Sequence, residues 1–209
     1  MKNRQIVSLA ILLLINGSAL SGQWMIGGSL GQAWGSADSG ELNNELVGRG
    51  INATISGIDN NRIMTQVFAG YEYLPRWGIE LGYVDLGDVS ASINGTISGI
   101  NDYFATGQDI YPQTATGVQL SSVYRYPVSG SLQLTGRVGV FNWTTDYTLE
   151  TNTVSQDVSE DGTDIIYGIG VESGSWIRHG GIVSQLNWER YKINGETIDV
   201  LSVGVSYRF

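Results

Sequence analysis

The sequence has no cysteine, a single histidine and only three prolines, and charged residues make up 15% of it. Because cysteine is missing, disulfide bonds are excluded as the means of holding the chain together. A zinc site has almost no ligands to draw on, so we expect neither a metal nor a cofactor. Long apolar runs and helix-period patterns are also missing after residue 22, so no helix is predicted there.

Glycine and large aromatic residues are what the chain has in excess. It contains 29 glycines, 11 tyrosines and 6 tryptophans. Aromatic side chains favour extended strands, and glycine enrichment without long apolar runs is typical of sheet proteins. The composition therefore predicts an all-β protein.

The first residues have the pattern of a secretory signal peptide. Lys2 and Arg4 precede an apolar run at 6–15, and the small residues of "GSALSG" follow it. The alternative is an anchor helix, but the run of about ten residues is half of the roughly twenty that a spanning helix needs.

Cleavage is expected after Ser21 or Gly22, so that 1–21 is the signal and 22–209 is one domain. The two cations lost with the signal reduce Lys and Arg from 11 to 9, against 20 Asp and Glu, which gives a formal charge of −11. A chain this acidic is not expected to bind nucleic acid.

Eight segments alternate between apolar and polar residues, and turn-forming residues bound each of them. They are predicted as strands at 23–36, 62–74, 77–87, 115–126, 131–145, 163–173, 180–192 and 198–209. Long connections at 37–61, 88–114 and 146–162 alternate with short ones at 75–76, 127–130 and 174–179. An up-and-down barrel threaded through an outer membrane has this pattern, because its periplasmic turns are tight and its outer loops are long.

The apolar strand faces contact either lipid or a protein core, and alternation alone does not exclude a soluble sandwich or a lipocalin-like barrel. Aromatic residues near the strand ends favour lipid, as do the small residues of the opposite face and the terminal Phe209. The aromatic residues are Trp24, Tyr71, Tyr73, Tyr124, Tyr126, Trp188 and Tyr207. We therefore predict an eight-stranded antiparallel up-and-down transmembrane β-barrel.

Three stretches resemble a known family. "FAGYEYLPRWGIELGYVDLGD" (68–88) is similar to the second and third strands of the OmpA-like transmembrane domain. "GVQLSSVYRYPVSGSLQLTGRVGVFNW" (117–143) is similar to its fourth and fifth strands, and "LSVGVSYRF" (201–209) to its last. The resemblance covers essentially the whole mature chain and implies a small barrel of the cell outer membrane. The peptidoglycan-binding domain of many larger members is expected to be absent.

Charged residues also fall on the inward face, where isolated charges would be costly and should pair or hold water. They are Glu72, Glu80, Glu172, Glu189, Arg125, Arg137 and Arg208. The resemblance implies an interior ionic network that closes the barrel and can exchange partners to give a narrow conductance, and Glu80 and Arg137 match positions of that network. Val123 and Asn187 stand where family members often have a lysine and an acid. A static plug and a simplified gate both stay open as hypotheses.

The last strand ends with outward aromatic residues at Tyr207 and Phe209. The resemblance implies that these two residues form the signal read by the barrel assembly machinery. The alternative is an edge strand packed in a protein core.

Other candidate sites have less support. Some outer-membrane barrels modify lipid A with a His and a Ser, but His179 has no adjacent Ser, so no catalytic residue is predicted. "DVSEDGTD" (157–164) matches the start of a calcium loop, yet Gly168 stands where a bidentate Glu is needed, and a solvated acidic loop is favoured. The near-repeats "INATISGIDN" (51–60) and "INGTISGIND" (93–102) predict strand hairpins beyond the bilayer, with either adhesive or neutral surfaces.

These features predict a structural, surface-presenting outer-membrane barrel that is not an enzyme. A narrow porin-like channel is the first alternative and a lipid A-modifying enzyme the second. Expected partners are outer-membrane lipids, lipopolysaccharide and the barrel assembly machinery, together with an unidentified ligand of the outer loops.

Overall fold

The computed structural model describes residues 22–35, 39–48, 53–59, 61–88, 90–95, 115–150, 155–174, 181–193 and 195–209. The strands are β1 (Gln23–Gly35), β2 (Ala53–Asp59), β3 (Asn61–Leu74), β4 (Trp77–Asp85), β5 (Ser90–Gly95), β6 (Thr116–Pro127), β7 (Leu132–Glu150), β8 (Ser155–Gly174), β9 (Gly181–Ile193) and β10 (Glu196–Arg208), with one helix, α1 (Ser39–Gly48). Within this described part of the chain, no helix is both long enough and apolar enough to span a membrane.

Eight of the strands form a closed barrel in the order β1-β10-β9-β8-β7-β6-β4-β3. Every neighbouring pair is antiparallel, and β1 closes the barrel by pairing with β10, with Met25 opposite Arg208. Apart from this closing pair, each barrel strand pairs with the barrel strand next to it in sequence. The predicted eight-stranded antiparallel up-and-down barrel is therefore confirmed.

The two faces of each strand differ in burial as period-two alternation requires. In β4, Ile79, Leu81 and Tyr83 are exposed on the outside, whereas Glu80 and Gly82 are buried inside. Exposed apolar side chains cover the outer surface, with Ile63 74% and Ile169 66% exposed. An apolar coat of this extent is stable only where hydrocarbon covers it.

The barrel interior is narrow, so a small residue is required where a strand passes close to a large inward side chain of a neighbouring strand. A Cβ atom on Gly27 of β1 would lie 2.5 Å from the Phe68 ring and 2.7 Å from Cβ of Ser206. Glycine at this position therefore lets three strands curve around Phe68.

The prediction of a helix-free loop at 37–61 was wrong, because α1 occupies Ser39–Gly48 and β2 follows it. Glycine and two asparagines lower the helix propensity of this stretch, and its apolar residues follow no clear stripe.

The outer connections contain more strand than the sequence predicted. Strand β2 carries most of the first near-repeat and β5 carries the first three residues of the second, and these two strands pair with each other in a two-stranded sheet, with Ile55 opposite Ile93. β7 and β8 continue their ladder to Glu150 and Ser155, so the loop predicted at 146–162 shrinks to 151–154. The segment 157–164 therefore lies in a strand and not in a solvated loop.

Candidate functional site

The barrel interior is the candidate site, and a carboxylate shared by two arginines lies in it. Glu80 on β4 accepts from Nη2 of Arg125 on β6 and from Nη2 of Arg137 on β7, each at 2.5 Å. Because the two guanidinium groups bind different oxygens of Glu80, both Glu80 oxygens are occupied. Inward alternation on three strands is sufficient to bring these side chains together.

The remaining predicted interior charges extend this cluster around the barrel. Glu172 on β8 accepts from Nε of Arg125 at 3.3 Å and from Nη2 of Arg208 on β10 at 2.7 Å. Glu189 on β9 accepts from Nη1 of Arg137 at 2.7 Å. All seven predicted residues thus lie in one set of ion pairs, which we call the ionic network.

The ionic network is almost fully shielded from solvent. Its three arginine side chains are 1–7% exposed and three of its four carboxylate side chains 1–5%. Glu72 is the exception at 22%, and it contacts Nη1 of Arg208 at 3.8 Å. Burial of charges is costly without partners, so the network must remain paired to stay in the interior.

A neutral polar layer adjoins the ionic network, and the sequence analysis did not single it out. The Ser29 hydroxyl donates to Gln66 at 3.0 Å, and Gln119 donates to Ser121 at 2.9 Å. The Tyr191 hydroxyl donates to Gln119 at 2.8 Å. Glutamines at inward positions of β3 and β6 were the available signal, because alternation places them inside.

The outer half of the interior is apolar, which the sequence analysis also missed. Its buried residues form one cluster, which we call the apolar plug: Ala33, Met64, Val84, Leu86, Ala115, Phe141, Trp143, Ile166, Tyr191, Ile193, Ile198 and Val200. The Phe141 and Tyr191 rings meet edge to face with centroids 5.2 Å apart. The small and charged residues predicted on the inward face therefore do not account for this half, where Arg62 and Thr145 are buried beside the apolar cluster. Runs such as Val140-Phe141 and Ile165-Ile166, apolar on both faces, were the signal.

Val123 and Asn187, the two departures from the family pattern, are both buried inside the barrel. Val123 is fully buried opposite Arg137 in the β6–β7 register. The Asn187 side chain donates to Gln185 on its own strand at 3.2 Å. Neither position supplies a charge, so the ionic network has fewer alternative partners than the resemblance implies. Another inward cation, Arg62, lies buried at the outer end of β3 and was not predicted.

The terminal aromatic residues lie on the outside of the barrel. Tyr207 is 47% and Phe209 65% exposed, and their rings meet edge to face with centroids 5.2 Å apart. The backbone N–H of Phe209 donates to the carbonyl of Trp24 at 2.9 Å, which ties the end of the chain to β1. The role of the two residues in assembly stays a prediction.

The weaker candidate sites do not gain support from the geometry. His179 lies outside the described residues. Gly168 lies in β8 opposite Glu189, far along the strand from Asp157, so the predicted start of a calcium loop has no loop to complete. No group of three potential metal-ligating side chains occurs among the residues that the structure describes.

Comparison with known proteins gives one family and two curated relatives. The model of the OmpA-like transmembrane domain matches residues 20–179. Outer membrane protein A of Klebsiella aerogenes is 28% identical over 198 residues, which cover 89% of this chain and 48% of that protein. Outer membrane protein A of Klebsiella pneumoniae is 27% identical over 209 residues, covering 95% and 54%. The chain spans about half the length of the curated relatives it matches.

Among solved structures, the outer membrane protein OprG from Pseudomonas aeruginosa is similar, with a TM-score of 0.49 and 12% identity. The match covers 90% of this chain and 96% of that one.

Proposed function

Because this chain belongs to the OmpA-like transmembrane domain family and lies as a β-barrel in the cell outer membrane, we propose that it is a closed, structural barrel. In this proposal the barrel contributes to membrane integrity and holds its outer segments at the cell surface. It does not conduct solutes.

The two-part filling of the interior is the observation that carries this proposal. The ionic network occupies the half nearest the short turns, and the apolar plug occupies the outer half. An eight-stranded barrel has an interior just wide enough for side chains to fill. An ion crossing it would have to break buried ion pairs and then enter an apolar layer, and both steps are costly.

Recording from purified protein in planar lipid bilayers tests the closed state. We expect no discrete current steps above the lipid background. Reproducible single-channel events from the folded wild-type protein would contradict the proposal.

A narrow gated channel is the second candidate, and the shared carboxylate of Glu80 is the observation that favours it. Arg137 contacts both Glu80 and Glu189, and Arg125 contacts both Glu80 and Glu172. Each arginine could therefore move between two partners without becoming unpaired. The apolar plug would also have to open, which is why we rank this candidate second.

Surface presentation is supported by the lengths of β7 and β8. These strands have 19 and 20 residues, whereas a transmembrane strand needs only about 9–11. Their connection at 151–154 is at the end opposite the short turns, so the excess projects from the outer side of the barrel.

The absence of cysteine makes this arrangement testable by labelling. Ser159→Cys in the projecting part of β8 should react with a membrane-impermeant maleimide on intact cells, because Ser159 is exposed there. Ser129→Cys in the short connection between β6 and β7 is the matched control, because it should react only after the outer membrane is permeabilised. The reverse labelling pattern would contradict the proposed orientation.

We propose no catalytic role for this chain. Overexpression should leave the mass spectrum of cellular lipid A unchanged. A new acylation or deacylation product that depends on the chain would contradict this proposal.

A further inference from the structure

Two cations stand next to each other on the outside of the barrel, although the chain carries a formal charge of −9. Arg190 and Lys192 occupy alternate positions of β9, so both side chains lie on its outward face. The other arginine side chains of the described strands lie in the interior and are almost fully shielded from solvent: Arg62, Arg125, Arg137 and Arg208. The outward placement of these two cations therefore requires its own explanation.

The position of Arg190 and Lys192 relative to the membrane follows from the strand register. Ile182 lies opposite Tyr207 in β10, at the end of the barrel where both termini lie. Counting from Ile182 as the first residue, Arg190 is the ninth and Lys192 the eleventh. A transmembrane strand crosses the hydrocarbon in about 9–11 residues, so the two cations stand at its outer boundary.

Aromatic rings support this position. The Arg190 guanidinium lies 5.2 Å from the centroid of the Trp188 ring, and the Tyr167 and Trp188 rings meet edge to face at 6.3 Å. Rings of this kind concentrate at the level of the lipid headgroups. Directly below them, Leu186 and Ile169 are exposed apolar residues. The surface therefore changes from apolar to aromatic to cationic within one strand.

The two cations differ in how they are held. Nε and Nη2 of Arg190 donate to the two oxygens of Asp199 at 2.7 and 2.8 Å. This pair fixes the guanidinium and offsets its charge. Lys192 forms no ion pair with any residue that the structure describes, so it supplies the net positive charge of the cluster.

We propose that Arg190 and Lys192 bind a phosphate group on the headgroup of an outer-leaflet lipid. The ammonium group of Lys192 attracts the phosphate as a point charge, and the oriented guanidinium of Arg190 adds directed N–H donors. The acyl chains of the same lipid cover Leu186 and Ile169. A lipid fits better than an acidic protein segment, because the apolar and cationic surfaces are continuous.

Titration of the folded, detergent-solubilised chain with bis-phosphorylated lipid A, read by native mass spectrometry, tests this site. Lys192→Gln should weaken binding about fivefold, and Arg190→Gln with Lys192→Gln should weaken it further. Dephosphorylated lipid A should bind wild type and double variant equally weakly.

Arg76→Gln is the matched control, because it removes an exposed cation at the opposite end of the barrel. It should bind lipid A as wild type does, and heat-modifiable gel migration should show that every variant is folded. Wild-type affinity in the folded double variant would overturn the proposal. Displacement of lipid A by an equal concentration of inorganic phosphate would also overturn it, because the site would then bind free anions. Neither outcome bears on conductance, which tests the closed barrel separately.

Discussion

Glu80 and Arg137 form an ion pair of 2.5 Å across the barrel interior, although the strand β6 lies between their strands. The same carboxylate also binds Arg125, from β6 itself. Glu80 is therefore the point at which three strands, β4, β6 and β7, are joined through side chains as well as through their backbone ladders.

Replacement of this shared carboxylate should strongly destabilise the barrel. Glu80→Gln removes one ion pair from each of two buried guanidinium groups and leaves Arg125 with Glu172 alone and Arg137 with Glu189 alone. Loss of one member of a buried pair costs about 3–5 kcal/mol. We expect a decrease of this size in the free energy of unfolding, measured by urea titration of the barrel in lipid vesicles.

Glu72→Gln is the control for the loss of an interior carboxylate. The Glu72 side chain is 22% exposed, and its contact with Arg208 is 3.8 Å long. Partly exposed pairs contribute about 0–1 kcal/mol, so its effect should be several times smaller. Equal effects of the two substitutions would contradict a special role for Glu80.

The apolar plug should keep the barrel closed even when the ionic network is broken. Glu80→Ala with Arg137→Ala removes charges from one half of the interior and leaves Phe141 and its neighbours in the other. We expect no current steps from this double variant in planar bilayers. Further replacement of Phe141 by Ala should produce them, because the remaining apolar layer then contains a cavity.

The matched variant for this experiment is Phe141→Ala alone, which leaves the ionic network intact and should stay closed. If the double variant already conducts, the ionic network is the only barrier and the gated-channel hypothesis gains support. If the triple variant stays closed although folded, the two-layer description is wrong.

The strands and their faces could be predicted from the sequence because period-two alternation is local. The interior location of Glu80 and Arg137 follows from the same rule, because both residues fall on the inward face of their strands and the barrel interior is narrow. Their particular partners could not be predicted, because pairing across the interior depends on the stagger of all the strands between them.

The helix α1 and the apolar plug were not predicted from the sequence, for identifiable reasons. α1 has a weak apolar stripe and contains glycine and asparagine, so local propensity argued against it. The apolar plug was missed because residues such as Phe141 and Ile166 follow another apolar residue, and this breaks the alternation on which the analysis depended. A change from one-sided to two-sided apolar strands is the signal that indicates such a plug.

The adjacent glycines of β1 should respond oppositely to a larger side chain. A Cβ atom at Gly27 would meet the Phe68 ring at 2.5 Å inside the barrel, whereas one at Gly28 on the lipid side would meet only the Gln66 carbonyl at 3.2 Å and the edge of Val67. Gly27→Val should therefore prevent closure of the barrel, and Gly28→Val should fold. The fraction of protein with heat-modifiable migration after refolding measures this difference. Folding of both variants to the same extent would show that the interior can expand around Phe68.

The terminal aromatic should matter more for assembly than for stability. Phe209 is 65% exposed on the lipid side, and its ring contacts Tyr207 near the end of β10. Phe209→Ala therefore creates no cavity and should change the free energy of unfolding by less than about 1 kcal/mol. If the assembly machinery reads this ring, the same substitution should lower the amount of folded barrel in the outer membrane several-fold. This amount is measured by heat-modifiable gel migration of protein from pulse-labelled cells.

Ile182→Ala is the control, since Ile182 is 64% exposed at the level of Tyr207 but lies outside the last strand. An equal loss for both variants would assign the effect to lost contact with lipid and not to a terminal signal.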